Sequence, residues 1–439
     1  MISIQSPPIF HTSLWLWILR SVFPLSWIIV AYAMSFSHPR SPVKAVAICL
    51  LLLNLGLVIL TPDILPKNTG IRTSAGISSF ILVLRGLQVL YFREELRRQG
   101  SNNHNDKISG ELERTGLSGS PSSKSLGQAR ALWNSLVVLL FNPREIGTPY
   151  AKPSTIPPFS YSDPSHVPSL FQFISIRILT AAVGYVLLDH LKNNYLDALG
   201  RDHPMISSAN ELILPALGSL YILRYRIAIT TCFWLSAYLI LHVPHDILRL
   251  LLVTATILKN KDFSNDAINL YIAMLPPLFG SPRVAWTIRR FWSRFWHQLL
   301  RSSLTLTANL IVNNLISSSP APSASSFTRR ARRRVRRYLH ILVVFSLSGI
   351  SHVCGAGISG TGAMWFFTMN AVGIMAEDAI QEIYRQLKVC PQVQIKISGS
   401  QWATSLPILE RVLGFLWVTA WFIWVTPTWI FPILRTYVI

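Results

Sequence analysis

The chain has 439 residues, 51% of them hydrophobic and only 13% charged, with a formal net charge of +21 at pH 7. That length would suit several soluble domains or one polytopic membrane bundle, and the long apolar runs decide for the bundle. The excess of arginine and lysine does not indicate nucleic acid, because it is concentrated in polar stretches between hydrophobic segments, as membrane-flanking charge is.

The first segment, Leu14 to Met34, carries Trp15, Trp17 and Trp27 and is interrupted by Arg20 and Pro24. It lacks a small-residue cleavage pattern, so a retained membrane segment is expected rather than a cleaved signal peptide. Val43 to Thr61 is the cleanest span, and Ala75 to Phe92, with Arg85 inside it, is a third. From Arg93 to Arg130 the composition turns to Ser, Asn, Gly, Glu and Arg, which predicts a flexible cytosolic loop over 93–130. Ala131 to Phe141 is too short to span, and Pro143 to Pro168, rich in proline and serine, is expected along the surface. Ser169 to Leu191 can cross, with Arg177 within it. Ile227 to His242 and Asp246 to Leu258 read as two helical stretches broken at Pro244, forming either a kinked span with a surface helix or a tight hairpin.

Arg289 to Arg301 reads RRFWSRFWHQLLR. Advanced by 100° per residue, Arg290, Arg294, His297 and Arg301 fall within about 60° of one another, and the aromatic and leucine side chains fill the other side. This predicts an interfacial amphipathic helix. Leu304 to Ile316, with Asn309, Asn313 and Asn314, is too short and too polar to span a hydrocarbon core of about 30 Å. Arg329 to Arg337 then holds seven arginines in nine residues, and no acidic residue occurs between Asp266 and Glu377. Between hydrophobic segments such a run marks the cytosolic side rather than a nuclear signal.

Tyr338 opens the next expected helix, and His352 follows fourteen residues on, about 21 Å along the axis. An ionisable group at that depth should face the bundle interior or a hydrated cavity. Ser348, Gly349, Gly355 and Ala356 share its face, leaving room for another helix or a substrate chain. From the residues alone, a histidine hydrogen-bonded across helices and a functional one are equally consistent with this pattern. Met364 to Ile380, with Asn370, Glu377 and Asp378, and Val412 to Pro432 complete an all-α transmembrane bundle of roughly seven to nine spans. Glu377 and Asp378, near a helix end, are expected to be solvated. The four cysteines show neither CxxC nor metal-ligand spacing.

Phe291-Trp292-Ser293-Arg294-Phe295-Trp296-His297 resembles the aromatic-rich signature of the wax-synthase-like branch of the membrane-bound O-acyltransferases. Pro276-Pro277-Leu278-Phe279-Gly280 before it and Ser348-Gly349-Ile350-Ser351-His352 after it resemble the flanking elements, and Pro143-Arg144-Glu145-Ile146-Gly147-Thr148 is a weaker echo. The resemblance implies a single membrane acyltransferase domain over 1–439, with 276–356 as its catalytic region and His352 as the catalytic histidine. His297 would stabilise the oxyanion or position the thioester, and Arg290, Arg294 and Arg301 would hold the phosphates of an acyl-CoA co-substrate. No bound cofactor, metal or nucleic acid is implied, the acceptor would be a hydrophobic alcohol, and the endoplasmic reticulum membrane is the expected location. Ser293 departs from the glycine that many relatives have, and Phe295 from the basic residue of plant-like members, which leaves donor and acceptor selection open.

Composition and the PPLFG block look most like the filamentous-fungal branch, which implies acetyl transfer onto a hydrophobic secondary metabolite such as a terpenoid or meroterpenoid. Fatty-acyl transfer to a long-chain alcohol or sterol is the alternative within the family. A transporter, which should show internal repeats, and a non-catalytic lipid-binding protein, which would tolerate loss of His352, are the alternatives outside it. The sequence His242-Val243-Pro244-His245-Asp246 also satisfies the HxxxD pattern of soluble plant-type acyltransferases, and its histidines suggest metal ligands. A pattern this short recurs by chance, and Ile247 stands where glycine would follow.

Overall fold

A computed structural model describes residues 25–33, 41–60, 69–92, 142–146, 156–193, 206–212, 220–259, 264–316, 326–356, 361–389 and 406–436. The expected cytosolic loop over 93–130 lies outside them. The main helices are α1 (25–33), α2 (Pro42–Leu60), α3 (Thr69–Leu87), α4 (Leu170–Leu191), α5 (Leu220–Lys259), α6 (Asn265–Ala273), α7 (Arg301–Leu315), α8 (Ser326–Ala356), α9 (Thr361–Val389), α10 (Leu406–Val425) and α11 (Pro427–Thr436). No strand occurs among the described residues.

Five helices are long and apolar enough to cross a membrane: Pro42–Ile59, Leu170–Leu191, Leu220–Lys259, Thr328–Cys354 and Ile408–Arg435, with Ser74–Leu90 a shorter apolar helix. The all-α membrane architecture is as expected, whereas the count of seven to nine is not reproduced among the described residues.

The chain divides into two compact units, Met1–Pro143 with Leu300–Ile358, and Arg144–Leu299 with Ser359–Ile439. In the first, α3 packs against α2 and α8, and α7 against α8. Its core gathers Val30, Ala47, Leu51, Leu82, Val83 and Leu90. Two of the polar residues inside it are tied to distant partners: Arg85 donates to the carbonyl of Asn142 at 3.1 Å, and Gln88 donates to Ser302 at 2.6 Å and accepts from Ser303 at 2.8 Å. The arginine run corrects the sequence reading. It forms the opening turns of α8, which runs unbroken from Ser326 into the apolar stretch, because arginine is a good helix former and nothing between Arg329 and Tyr338 breaks a helix.

In the second unit α4 lies along α5, and α9 packs against α11. Ser169 caps α4 in a capping box with Gln172, at the boundary the sequence predicts. The break at Pro244 is also corrected, since α5 is one 40-residue helix with Pro244 inside it. Proline costs a helix one hydrogen bond and crowds the preceding turn, but here the apolar residues of that turn are packed: Leu239 and Val243 meet Gly184 of α4, where an added Cβ would lie 2.7 Å from the Val243 side chain.

Candidate active site

The signature does not form one regular amphipathic helix. After a short α-turn, Ile288–Arg290, the chain widens into a π-turn, Phe291–Phe295, and leaves the helix at Trp296, whose ψ is 153°. The backbone groups released there are satisfied from outside the helix. Gln298 donates to the carbonyls of Trp292 (3.0 Å) and Trp296 (2.6 Å), and the Gly280 amide donates to the carbonyl of Phe295 at 2.8 Å. The single face assumed for Arg290, Arg294, His297 and Arg301 is therefore lost: Arg301 opens α7 in the first unit, and His297 follows the break in the second.

The aromatic residues of the signature build a packed cluster inside the second unit. Trp234 of α5 stands at its centre, its ring centroid 5.0 Å from those of Trp296 and Phe422, 5.6 Å from Phe291 and 6.0 Å from Trp292. Three α9 residues, two of them expected to be solvated, fix the turn. Glu377, only 5% exposed, accepts from the Ile288 amide (2.5 Å), the Arg289 amide (3.1 Å) and the Trp417 indole (3.0 Å). This carboxylate meets the positive end of the turn, where a negative charge is favoured. Asn370 accepts from the Trp292 indole at 3.1 Å, and Asp378 pairs with Arg289 at 2.5 Å.

His297 packs against Phe279 and Trp296, with ring centroids 6.0 and 5.5 Å away. Its Nδ1 is enclosed without a hydrogen-bond partner. Burial lowers its pKa from 6.5 to about 4, so it is neutral at physiological pH. The native state refuses a proton that the unfolded chain accepts; stability owed to the neutral ring is whole above pH 6.5 and lost as pH falls towards 4. Replacing His297 by glutamine should make the melting temperature fall less between pH 6.5 and 4, measured by thermal unfolding in detergent.

Arg290 lies over the Trp286 ring, 4.1 Å from its centroid. Burial, and then the nearby Arg294 and Arg411, hold its guanidinium below the ordinary value. The second unit thus brings Arg290 and Arg294 together with Arg411, which sequence reading missed because it lies more than a hundred residues downstream. His352 is on α8 in the first unit. It is half-buried, and at helical spacing it continues the buried positions Phe345 and Gly349, opposite the exposed Ile350. Ser351 beside it is buried and donates to the carbonyl of Ser348 at 2.6 Å.

A further group was discounted at the level of sequence. Asp246, with no exposed surface, accepts from Arg177 (3.3 Å), Thr180 (2.7 Å) and Arg249 (3.1 Å), and the His242 Nε2 lies 3.3 Å away. HVPHD is therefore the acidic hub of a buried ion network. Among the described residues no group of three or more His, Cys, Asp or Glu side chains could hold a metal ion.

The PPLFG loop joins this network to the signature. A Cβ on Gly280 would lie 2.0 Å from the carbonyl oxygen of Arg294, so only glycine allows the two backbones to approach so closely. Gly280→Ala should cost about 1–3 kcal/mol in thermal unfolding, whereas Gly56→Ala, at a site with nothing within 4 Å of the added Cβ, should not.

Residues 275–369 match the model of the "Membrane bound O-acyl transferase family". This stretch contains both histidines as well as Arg290, Arg294 and Arg301. The chain is similar to "Acetyltransferase nanB" of Aspergillus nanangensis, 30% identical over 48% of this chain and 45% of the relative. It is similar also to "Acetyltransferase fsoF" of Humicola fuscoatra (26%, over 66% of this chain and 64% of the relative) and to "Acetyltransferase TRI7" of Fusarium sporotrichioides (26%, over 67% and 63%). The chain spans between about half and just under two thirds of the length of these relatives. It is thus a membrane protein related to the membrane-bound O-acyltransferases and to fungal acetyltransferases, as the signature and its flanks indicated.

Proposed function

We propose that the chain is an acyl-CoA-dependent O-acyltransferase of the endoplasmic reticulum membrane, moving an acetyl group to a hydroxyl of a hydrophobic secondary metabolite such as a terpenoid or meroterpenoid. The observation that carries this reading is the family match over 275–369, which takes in the signature turn and both candidate histidines, joined by relatives whose names describe acetyltransferases. His352 takes the proton of the acceptor hydroxyl as its oxygen attacks the thioester carbonyl. The tetrahedral intermediate collapses, the C–S bond breaks, and the CoA thiolate leaves and recovers the proton from the imidazolium. A thiol of ordinary pKa near 8.5 needs little acid assistance to leave. His297, neutral at this pH, offers an N–H to the developing oxyanion. Transfer is direct, without an acyl-enzyme, because activation of the acceptor hydroxyl by His352 needs no protein nucleophile.

Arg290, Arg294 and Arg411 supply positive charge for the CoA phosphates. Arg290→Gln with Arg294→Gln should raise the acetyl-CoA KM by about ten- to hundredfold with a smaller effect on kcat, in initial-rate assays on membranes. An unchanged KM would put CoA recognition elsewhere. Arg301→Gln, changed alone, tests whether the third arginine of the sequence reading takes part.

A further inference from the structure

We propose that Arg144 and Arg249 are positioning residues: by gripping three successive carbonyls where the chain enters the PPLFG loop, Leu275 to Pro277, they set Phe279 against His297. Arg144 donates through one guanidinium nitrogen to the carbonyl of Pro277 at 2.6 Å and through the other to the carbonyl of Pro276 at 3.0 Å. Arg249 donates to the carbonyl of Leu275. Pro276 and Pro277 have no N–H, so this stretch cannot tie itself down through amides of its own at those positions. The planar fork of arginine matches two neighbouring carbonyls, which the point charge of lysine does not.

Both guanidiniums are themselves held. Arg249 is 2% exposed, paired with Asp246 at 3.1 Å, and lies 5.0 Å from the Phe173 ring centroid and 5.8 Å from that of Phe159. Arg144 precedes Glu145, which is buried and left-handed, with φ 58°. On the other side of the loop, Phe279 meets Tyr238 at 4.3 Å, Trp296 at 5.2 Å and His297 at 6.0 Å between ring centroids. The next residue, Gly280, ties the loop to the carbonyl of Phe295. The loop is thus a spacer between the arginine pair and the signature turn. This use of Arg144 and Arg249 also sets them apart from the CoA-facing arginines, since their donors are directed to carbonyls and to Asp246.

As a statement about catalysis the proposal rests on the acyltransferase reading, so its test has one readout that does not. The full chain, purified in detergent, is compared with Arg144→Lys and Arg249→Lys. Arg435→Lys serves as the control, since Arg435 donates to the carbonyl of Ile206 and pairs with Glu211 in the same unit, away from this loop. Carbethoxylation of His297 by diethylpyrocarbonate, followed by peptide mass spectrometry, should be slow in the unaltered protein and in Arg435→Lys, and several-fold faster in the two loop variants. In acetyl transfer, Arg144→Lys should lower kcat by about a hundredfold, the scale of a small misplacement, with the acetyl-CoA KM unchanged; rates are taken per folded enzyme, quantified by gel filtration of the detergent-solubilised protein, because a loss of folded protein would also lower the apparent kcat without moving KM. Unchanged His297 reactivity in both loop variants, or an equal rise in Arg435→Lys, would overturn the proposal. If one loop variant does not fold, the other decides. If the unaltered protein transfers no acetyl group, the function proposed above fails while the His297 readout still decides the positioning.

Discussion

His352→Ala is expected to lower acyl transfer by about 10²–10⁴-fold, the usual contribution of a positioned general base, while the melting temperature stays near that of the unaltered protein. In the proposed reaction the acceptor alcohol is the difficult partner, because its proton must leave as its oxygen attacks, and the thiolate departs readily. A base must therefore lie within reach of the hydroxyl. His352 is half-buried on the packed stripe of α8, late in the span Thr328–Cys354, where an ionisable side chain is retained for a reason. Small neighbours on its helix make the alanine variant sterically mild. His352→Gln separates the two roles of the side chain, since the amide can replace a hydrogen bond but not accept a proton at neutral pH. Full transfer by either variant at normal expression would remove His352 from the chemistry.

The second large effect is expected at Asp246. Its carboxylate faces Arg177 and Arg249, with Thr180 and His242 completing its surroundings. Taking one partner out of a buried ion network leaves the remaining charges uncompensated, and such changes typically cost about 3–5 kcal/mol. Asp246→Ala should lose stability on that scale. Asp246→Asn should lose less, because the amide oxygen still accepts from Thr180 or an arginine. Thermal unfolding in detergent ranks the three proteins; an alanine variant as stable as the unaltered chain would show that the network contributes little. The double variant Asp246→Ala/Arg177→Met should recover part of the loss, since it removes a cation along with its partner.

The all-α membrane architecture was legible because it depends on local composition, whereas the number of spans was not. Ser169 could be read as the start of α4 from its place before an apolar run, and His352 could be singled out because a histidine that deep in a hydrophobic segment is costly. What was missed depends on partners distant in sequence. Asp246 lies 69 and 66 residues from Arg177 and Thr180, and nothing in HVPHD reveals them. Glu377 lies 89 residues from Ile288, so a carboxylate near a helix end reads as solvated until the turn it caps is in place. The face expected for RRFWSRFWHQLLR failed for a similar reason: 100° per residue assumes that each carbonyl is satisfied within the helix, whereas Gln298 and Gly280 take over those of Trp292, Phe295 and Trp296. Pro244 was overweighted because its local cost was counted without the packing of α5 against α4.

Whether His352 serves acetyl transfer is decided by following label from acetyl-CoA and, separately, from palmitoyl-CoA into organic-extractable product. Membranes expressing the unaltered chain or His352→Ala would be supplied with fungal metabolite extract and long-chain alcohols. Acetyl label is expected in product from the unaltered chain and should be lost in His352→Ala. Palmitoyl label in place of acetyl, or acetyl transfer undiminished by the substitution, would contradict that expectation.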